Sequence, residues 1–313
     1  MSGQDADQIV NQPVTLPDQV ERPEAPRVAE EIAEGFTVPA PVLPHAPPGD
    51  IPLTPHELIS LPVRHNPTLQ RVLHAVNADT DLHAIWRCQN VTAVDRLGMT
   101  DHGPVHMQIV ANSALRLLRL LVKSAIVTSA VSQHQLTDED AEVIVVLAAL
   151  LHDSGMSIQR AEHEQFSLIV ALPKLMELLQ DIYPAATRRV VVSEVLHAVI
   201  AHRAGGQPLT LEAGIVRVAD ALDMAKGRSR IPFEAGHVDI HSVSAAAIDA
   251  VEIRPGEQKP VCISIKMNNA AGLFQLDALL RDKLHGSGLE PHIEIVAEIQ
   301  GEADKRLFET FRL

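Results

Sequence analysis

The chain has 313 residues, a net charge of −14 and 46% hydrophobic residues, with aromatics at only 3%. That length and apolar content suit one large or two moderate domains with a core of Leu, Val, Ile and Ala, a composition that favours helices. The acidic balance argues against general nucleic-acid binding and against an anionic membrane surface, since both need basic patches; a small anionic substrate held by metal ions and a local basic cluster stays open.

Residues 1–62 differ in material from the rest. They hold 12 of the 21 prolines, ten acidic and two basic residues and one aromatic, Phe36. Such a segment buries too little apolar area to offset its ordering entropy, so it reads as a disordered acidic tail, with room for a short helix at Pro26–Gly35. It has no basic n-region followed by an apolar h-region, so no signal peptide is expected.

Helical periodicity begins after Pro67, where Leu69, Val72, Leu73 and Val76 repeat at i, i+3, i+4, i+7. A second helix is expected over about Asp79–Leu97, with Trp86 as a packing residue. Asp101-His-Gly-Pro-Val-His106 opens a third, expected to run to about Ser132. Pro104 suits its first turn, where a missing N–H costs nothing. Thr137-Asp-Glu-Asp140 is a capping-box start for a helix ending at His152, with Gly155 as its stop. Further helices are expected over Ala161–Leu179, from Pro184 to about His202, and over Leu211–Ala225. Pro173 is a potential kink in the first of these.

After Pro232 the pattern changes. Ala250–Arg254, Val261–Met267, His292–Ile299 and Leu307–Leu313 read as strands, and Leu273–Leu284 as a helix. The expected fold is mainly α: a helical bundle over 63–235 followed by a small α+β domain over 236–313, the latter an element for dimerisation or for gating the substrate. The apolar stretches Leu115–Val131 and Val143–Leu151 are interrupted by Arg116, Arg119 and Lys123 or too short to span a bilayer. Cys88 and Cys262 read as buried thiols of a reducing compartment, and a cytoplasmic, membrane-free protein is expected.

Seven histidines fall between positions 102 and 202, mostly at expected helix ends. Imidazole and carboxylate are both metal ligands, and helix ends converging on one pocket can build a metal site. His106, the His152–Asp153 doublet, His163, His202 and Asp220 lie on five successive helices. His102 and His197 are candidates for proton transfer or for orienting a ligand. Lys226, Arg228 and Arg230 form a basic run suited to phosphate capture. Asp223 either pairs with Lys226 or supports a ligand. Glu162, Glu164 and His134 read as solvated.

A lone His opening a helix, a His-Asp doublet ending the next and a distal Asp in Val218-Ala-Asp220 resemble the HD-domain superfamily of metal-dependent phosphohydrolases, over about residues 95–232. The resemblance implies that His106, His152, Asp153 and Asp220 bind a first metal. As in the two-metal HD-GYP phosphodiesterases, it implies that Asp153 bridges to a second metal held by His163 and His202. The GYP signature is absent and Arg203 stands where those enzymes have a second His, so neither cyclic-di-GMP nor a third metal is implied. A mixed His/carboxylate set suits two divalent ions of Mn, Fe, Co, Ni or Zn, with Mg also admissible. The implied reaction is attack of a metal-bridged hydroxide on the phosphoester of a small phosphorylated substrate such as a nucleotide. Two alternatives stay open: a non-hydrolytic nucleotide-sensing HD protein and a di-iron HD-type oxygenase.

Overall fold

A computed structural model describes residues 58–203, 205–225, 244, 246–300 and 310–312. The expected tail therefore lies outside the described residues up to position 57, as do Lys226, Arg228 and Arg230. The described residues belong to one compact unit, Asp50–Leu313.

The bundle comprises α1 (Pro67–Ala78), α2 (Thr80–Asn90, continued by a π-helical turn over Val91–Arg96), α3 (Pro104–Lys123), α4 (Ser129–His134), α5 (Asp138–Leu151), α6 (His163–Leu178), α7 (Ala185–Ala201) and α8 (Leu211–Ala221). Its centre is α5. From Ala141 to Leu151 every residue is buried, because a helix apolar all round is stable only when neighbours cover every face. The expected capping box starts it: Thr137 accepts from the Asp140 amide, and Asp140 accepts from the Thr137 amide. The core is aliphatic as composition requires, with Trp86 buried and its indole N–H donating to the Leu150 carbonyl at 2.9 Å. Arg119, an interruption in an apolar helix by sequence, forms a fork with the mostly buried Glu142, at 2.7 and 3.2 Å. By length and composition α3 could cross a membrane, yet it packs inside the bundle with nine buried residues.

Three local expectations are corrected. The third helix stops at Lys123 rather than running to Ser132. Ala125 takes a left-handed φ of 61°, and the Ala125 and Ile126 amides bond the carbonyls of Val122 and Leu121. This is a Schellman ending without its usual glycine, so the sequence carries no stop signal there. Gly155 is no left-handed stop: a Cβ there would lie 2.0 Å from the His163 carbonyl oxygen and 2.4 Å from the Ser167 nitrogen, so it is a close-approach glycine that lets α6 touch the turn after α5. Cys88 is exposed, whereas Cys262 is buried as expected. Pro173 is accommodated within α6.

The C-terminal part forms a sheet in the order β1 (Ile248–Pro255), β2 (Val261–Met267), β3 (Ile293–Ile299) and β4 (Thr310–Arg312). The β1–β2 and β3–β4 pairs are antiparallel and β2–β3 is parallel. The parallel pair requires a crossover, supplied by the helical stretch α9 (273–284), whose middle turn Leu276–Arg281 is π-helical. The sheet and bundle touch: Arg116 on α3 donates to the Ile253 carbonyl at 2.8 Å.

Candidate metal centre

Four helix ends meet at one point. His106 sits in the first turn of α3 and His163 is the first residue of α6; His152 is the C-cap of α5 and His202 the C-cap of α7. Asp220 adds the last turn of α8. Three of these are helix C-termini, whose partial negative charge favours a cation.

Asp153 lies at the centre, and its two oxygens face different partners. Oδ2 is 3.2 Å from His152 Nε2 and 3.5 Å from His106 Nε2. Oδ1 is 3.0 Å from His163 Nε2 and 3.7 Å from His202 Nε2. Asp220 Oδ1 joins the first pole, 3.6 Å from His106 Nε2 and 3.5 Å from His152 Nε2. Ligand atoms of His106, His152 and Asp220 fall within 4.8 Å of one another, as do those of His152, Asp153 and His202, and of His163, Glu164 and His202.

The donor set fits metal ions in its outer contacts as well. His152 Nδ1 donates to the Ala149 carbonyl at 2.8 Å and His202 Nδ1 to the Val199 carbonyl at 2.6 Å. His106 Nδ1 meets the Asp223 carboxylate at 2.6 Å. An N–H held at Nδ1 leaves the lone pair on Nε2, aimed at the cluster, which is how ligating histidines are oriented. His163 Nδ1 faces two groups of Arg160, its carbonyl at 3.1 Å and its guanidinium at 2.7 Å. The doublet itself is clamped to α6: Ser167 Oγ donates to the His152 carbonyl at 2.7 Å and accepts from the Gly155 amide at 2.8 Å.

The electrostatics follow from burial and charge. Burial pulls the His152 pKa down, but the Asp153 and Asp220 carboxylates outweigh it and raise it to about 10. Burial lowers His202 to about 3, helped by the nearby charges of His152 and Lys283. Burial works against ionised Asp153 and Asp220, yet both carboxyls lie well below the usual range: His152 dominates for Asp153 and Lys283 for Asp220. The two carboxylates of the first pole thus favour positive charge beside them, whether a proton or a metal cation.

The sequence-derived candidates divide as follows. His106, His152, Asp153, His163, His202 and Asp220 converge. His102 sits beside them, its ring centroid 5.3 Å from that of His106, in a loop held by Asn90 and Gln89. His197 serves the fold instead. Its Nε2 accepts the Leu209 amide at 2.9 Å and ties down the loop before α8. Asp223 supports a candidate ligand, as one of its two expected roles has it, through the His106 contact; the other, pairing with Lys226, lies outside the described residues. Glu164 is not solvated but approaches His163 Nδ1 at 3.5 Å; His134 is exposed as expected, with its Nε2 2.9 Å from Glu194. Lys283 escaped sequence reading: its Nζ is 3.0 Å from Asp220 Oδ2, and nothing in its neighbourhood along the chain marks it.

A family model described as HD domain matches residues 105–225. A relative from Methanocaldococcus jannaschii, "Uncharacterized protein MJ1020", is 42% identical over 228 residues, which is 73% of this chain and 87% of that protein. This chain belongs to the HD-domain family. HD-domain proteins are generally metal-dependent phosphohydrolases, and the His/Asp cluster of this member is consistent with the HD metal site. No solved structure matches this HD-domain chain.

Proposed function

We propose that the protein is a two-metal phosphohydrolase acting on the phosphoester of a nucleotide. The observation that carries this reading is the division of Asp153, whose Oδ2 faces His106 and His152 while Oδ1 faces His163 and His202. A carboxylate with a pair of imidazoles on each oxygen is built to bridge two cations. His106, His152, Asp220 and Asp153 Oδ2 would hold one ion; His163, His202 and Asp153 Oδ1 would hold the other, with Glu164 beside them. Mixed imidazole and carboxylate donors suit Mn, Fe, Co, Ni or Zn.

Divalent cations supply Lewis acidity toward a phosphoryl oxygen and toward water. The chain does the rest. Asp223 and the helix-end carbonyls lock the imidazoles, so no reorganisation is needed when substrate arrives. Burial of His106, His152 and His202 keeps bulk water from competing. His102, whose ring lies 5.3 Å from that of His106, would pass a proton to the leaving oxygen.

The test is elemental analysis plus a phosphoester panel. Wild type should hold two transition-metal ions per chain and hydrolyse nucleotide phosphoesters. Asp153→Ala should lose both metal and activity while staying folded, and His163→Ala should retain one ion. Full metal content in the Asp153 variant would overturn the reading, as would a metal-loaded wild type inert across mono- and diesters.

A further inference from the structure

The two oxygens of Asp220 have different company. Oδ1 faces the first-pole histidines, and Oδ2 accepts from Lys283 Nζ at 3.0 Å. Lys283 is not part of the bundle; it lies near the end of α9, in the crossover between β2 and β3. Its ammonium also donates to the carbonyl of His202, the C-cap of α7. One cation therefore touches a ligand-bearing residue at each pole.

The position is built. Gly214 on α8 has no room for a side chain because a Cβ would lie 2.2 Å from the Ser287 carbonyl oxygen, so the turn after α9 rests directly on the α8 backbone. From the next turn of α8, buried Arg217 donates to the carbonyls of Asp282 and His285 at 2.9 and 3.3 Å. These carbonyls lie one residue before and two residues after Lys283. A flexible lysine is thereby delivered from a fixed backbone.

Access runs the same way. The Asp220 and Lys283 side chains are 20% and 15% exposed, whereas those of His106, His152 and His202 are 3% or less. Among the candidate ligands of the first pole, Asp220 is thus the most exposed, and Lys283 lies against it. An ammonium group has three N–H donors. Asp220 and the His202 carbonyl are the partners of two of them among the described residues.

We propose that Lys283 is a substrate-binding residue whose ammonium takes an oxygen of the substrate phosphate, so that the C-terminal segment completes the site. The assignment rests on the phosphohydrolase reading above. The probe is inorganic phosphate, titrated calorimetrically into the full-length, metal-loaded protein, with metal content measured on the same samples. K283Q and K283M remove the charge, the first while keeping N–H donors for Asp220 and His202; K283R keeps the charge.

Wild type should bind phosphate. K283Q and K283M should keep their metal and bind phosphate roughly ten- to a hundredfold more weakly, the range expected for a hydrogen bond to a charged group. K283R should stay within a few-fold of wild type. Unchanged phosphate affinity in metal-loaded K283Q would overturn the proposal. Loss of metal from K283Q would overturn it too, because Lys283 would then act only through Asp220. A metal-loaded wild type that fails to bind phosphate would bring down the hydrolase reading itself, a different outcome from either.

Discussion

Replacing Gly155 by Ala tests whether the turn after the His-Asp doublet sets the second pole. The added Cβ would sit 2.0 Å from the His163 carbonyl oxygen, while ordinary contact begins near 3.4 Å. The first turn of α6 must therefore retreat by about 1.4 Å, the difference between those distances, or the doublet must move as far the other way. Either movement breaks the Ser167 clamp, which joins the His152 carbonyl to the Gly155 amide. Overpacking costs about 1–3 kcal/mol and each lost hydrogen bond about 1 kcal/mol, which gives about 3–5 kcal/mol in all. At roughly 2–4 °C per kcal/mol for a domain near this size, Tm should fall by about 6–20 °C.

The displacement also has a chemical consequence. Metal–ligand distances tolerate only about 0.2 Å, so His163 carried more than 1 Å away ceases to be a ligand. The folded variant should bind one cobalt ion fewer than wild type, with the His106–His152–Asp220 pole intact. Calorimetric melting and a cobalt titration read the two effects separately. A variant with wild-type Tm and wild-type metal content would refute the reasoning, since it would show that the close approach has slack the geometry denies.

Two further outcomes are expected. Asp223→Ala should weaken first-pole metal affinity roughly tenfold to a hundredfold in chelator competition, because His106 loses the 2.6 Å partner that orients it; unchanged affinity would show that the ring is held by packing alone. Glu142 contributes to acid stability. Burial works against its charge, but its bonds to Arg119, Asn66 and His65 hold its pKa below the ordinary 4.5. A depressed carboxyl stabilises the fold above its unfolded pKa and loses that contribution as pH falls through the folded value. Glu142→Gln should therefore cost about 2 kcal/mol at pH 7 in urea melts, with the gap from wild type closing as pH falls below 4.5; a gap constant with pH would refute this.

Much of the candidate ligand set is legible because its members sit beside helix signals: Pro104 before His106, the apolar run of α5 before the His152–Asp153 doublet, and the Val-Ala-Asp segment at the end of α8. Helix ends can be read from sequence, and in this fold the helix ends are the site. What escaped depended on through-space proximity. Ala125 breaks the third helix with a conformation normally assigned to glycine, so no residue type announced it. Gly155 was visible as a stop, but its reason, the backbone of α6, lies eight to twelve positions further along. Glu164 was indistinguishable from a solvated acid until His163 was placed beside it. Lys283 lies 63 residues from Asp220 in the chain, across a change from helical to mixed structure, and only the packing of α9 on α8 brings the two together.

Arg217 carries a consequence for where this chain can be divided. The family match ends at residue 225, which invites treating the bundle as a portable module. The guanidinium of Arg217 is buried by backbone that comes 65 to 68 positions later. A fragment ending with the match would leave Arg217 with the Gly206 carbonyl alone of its three carbonyl partners and bare one face of α8, three residues from the candidate ligand Asp220. Fusions, truncations and chimaeras of this protein should keep the sheet and its crossover attached, because the sequence boundary of the motif is not a mechanical one.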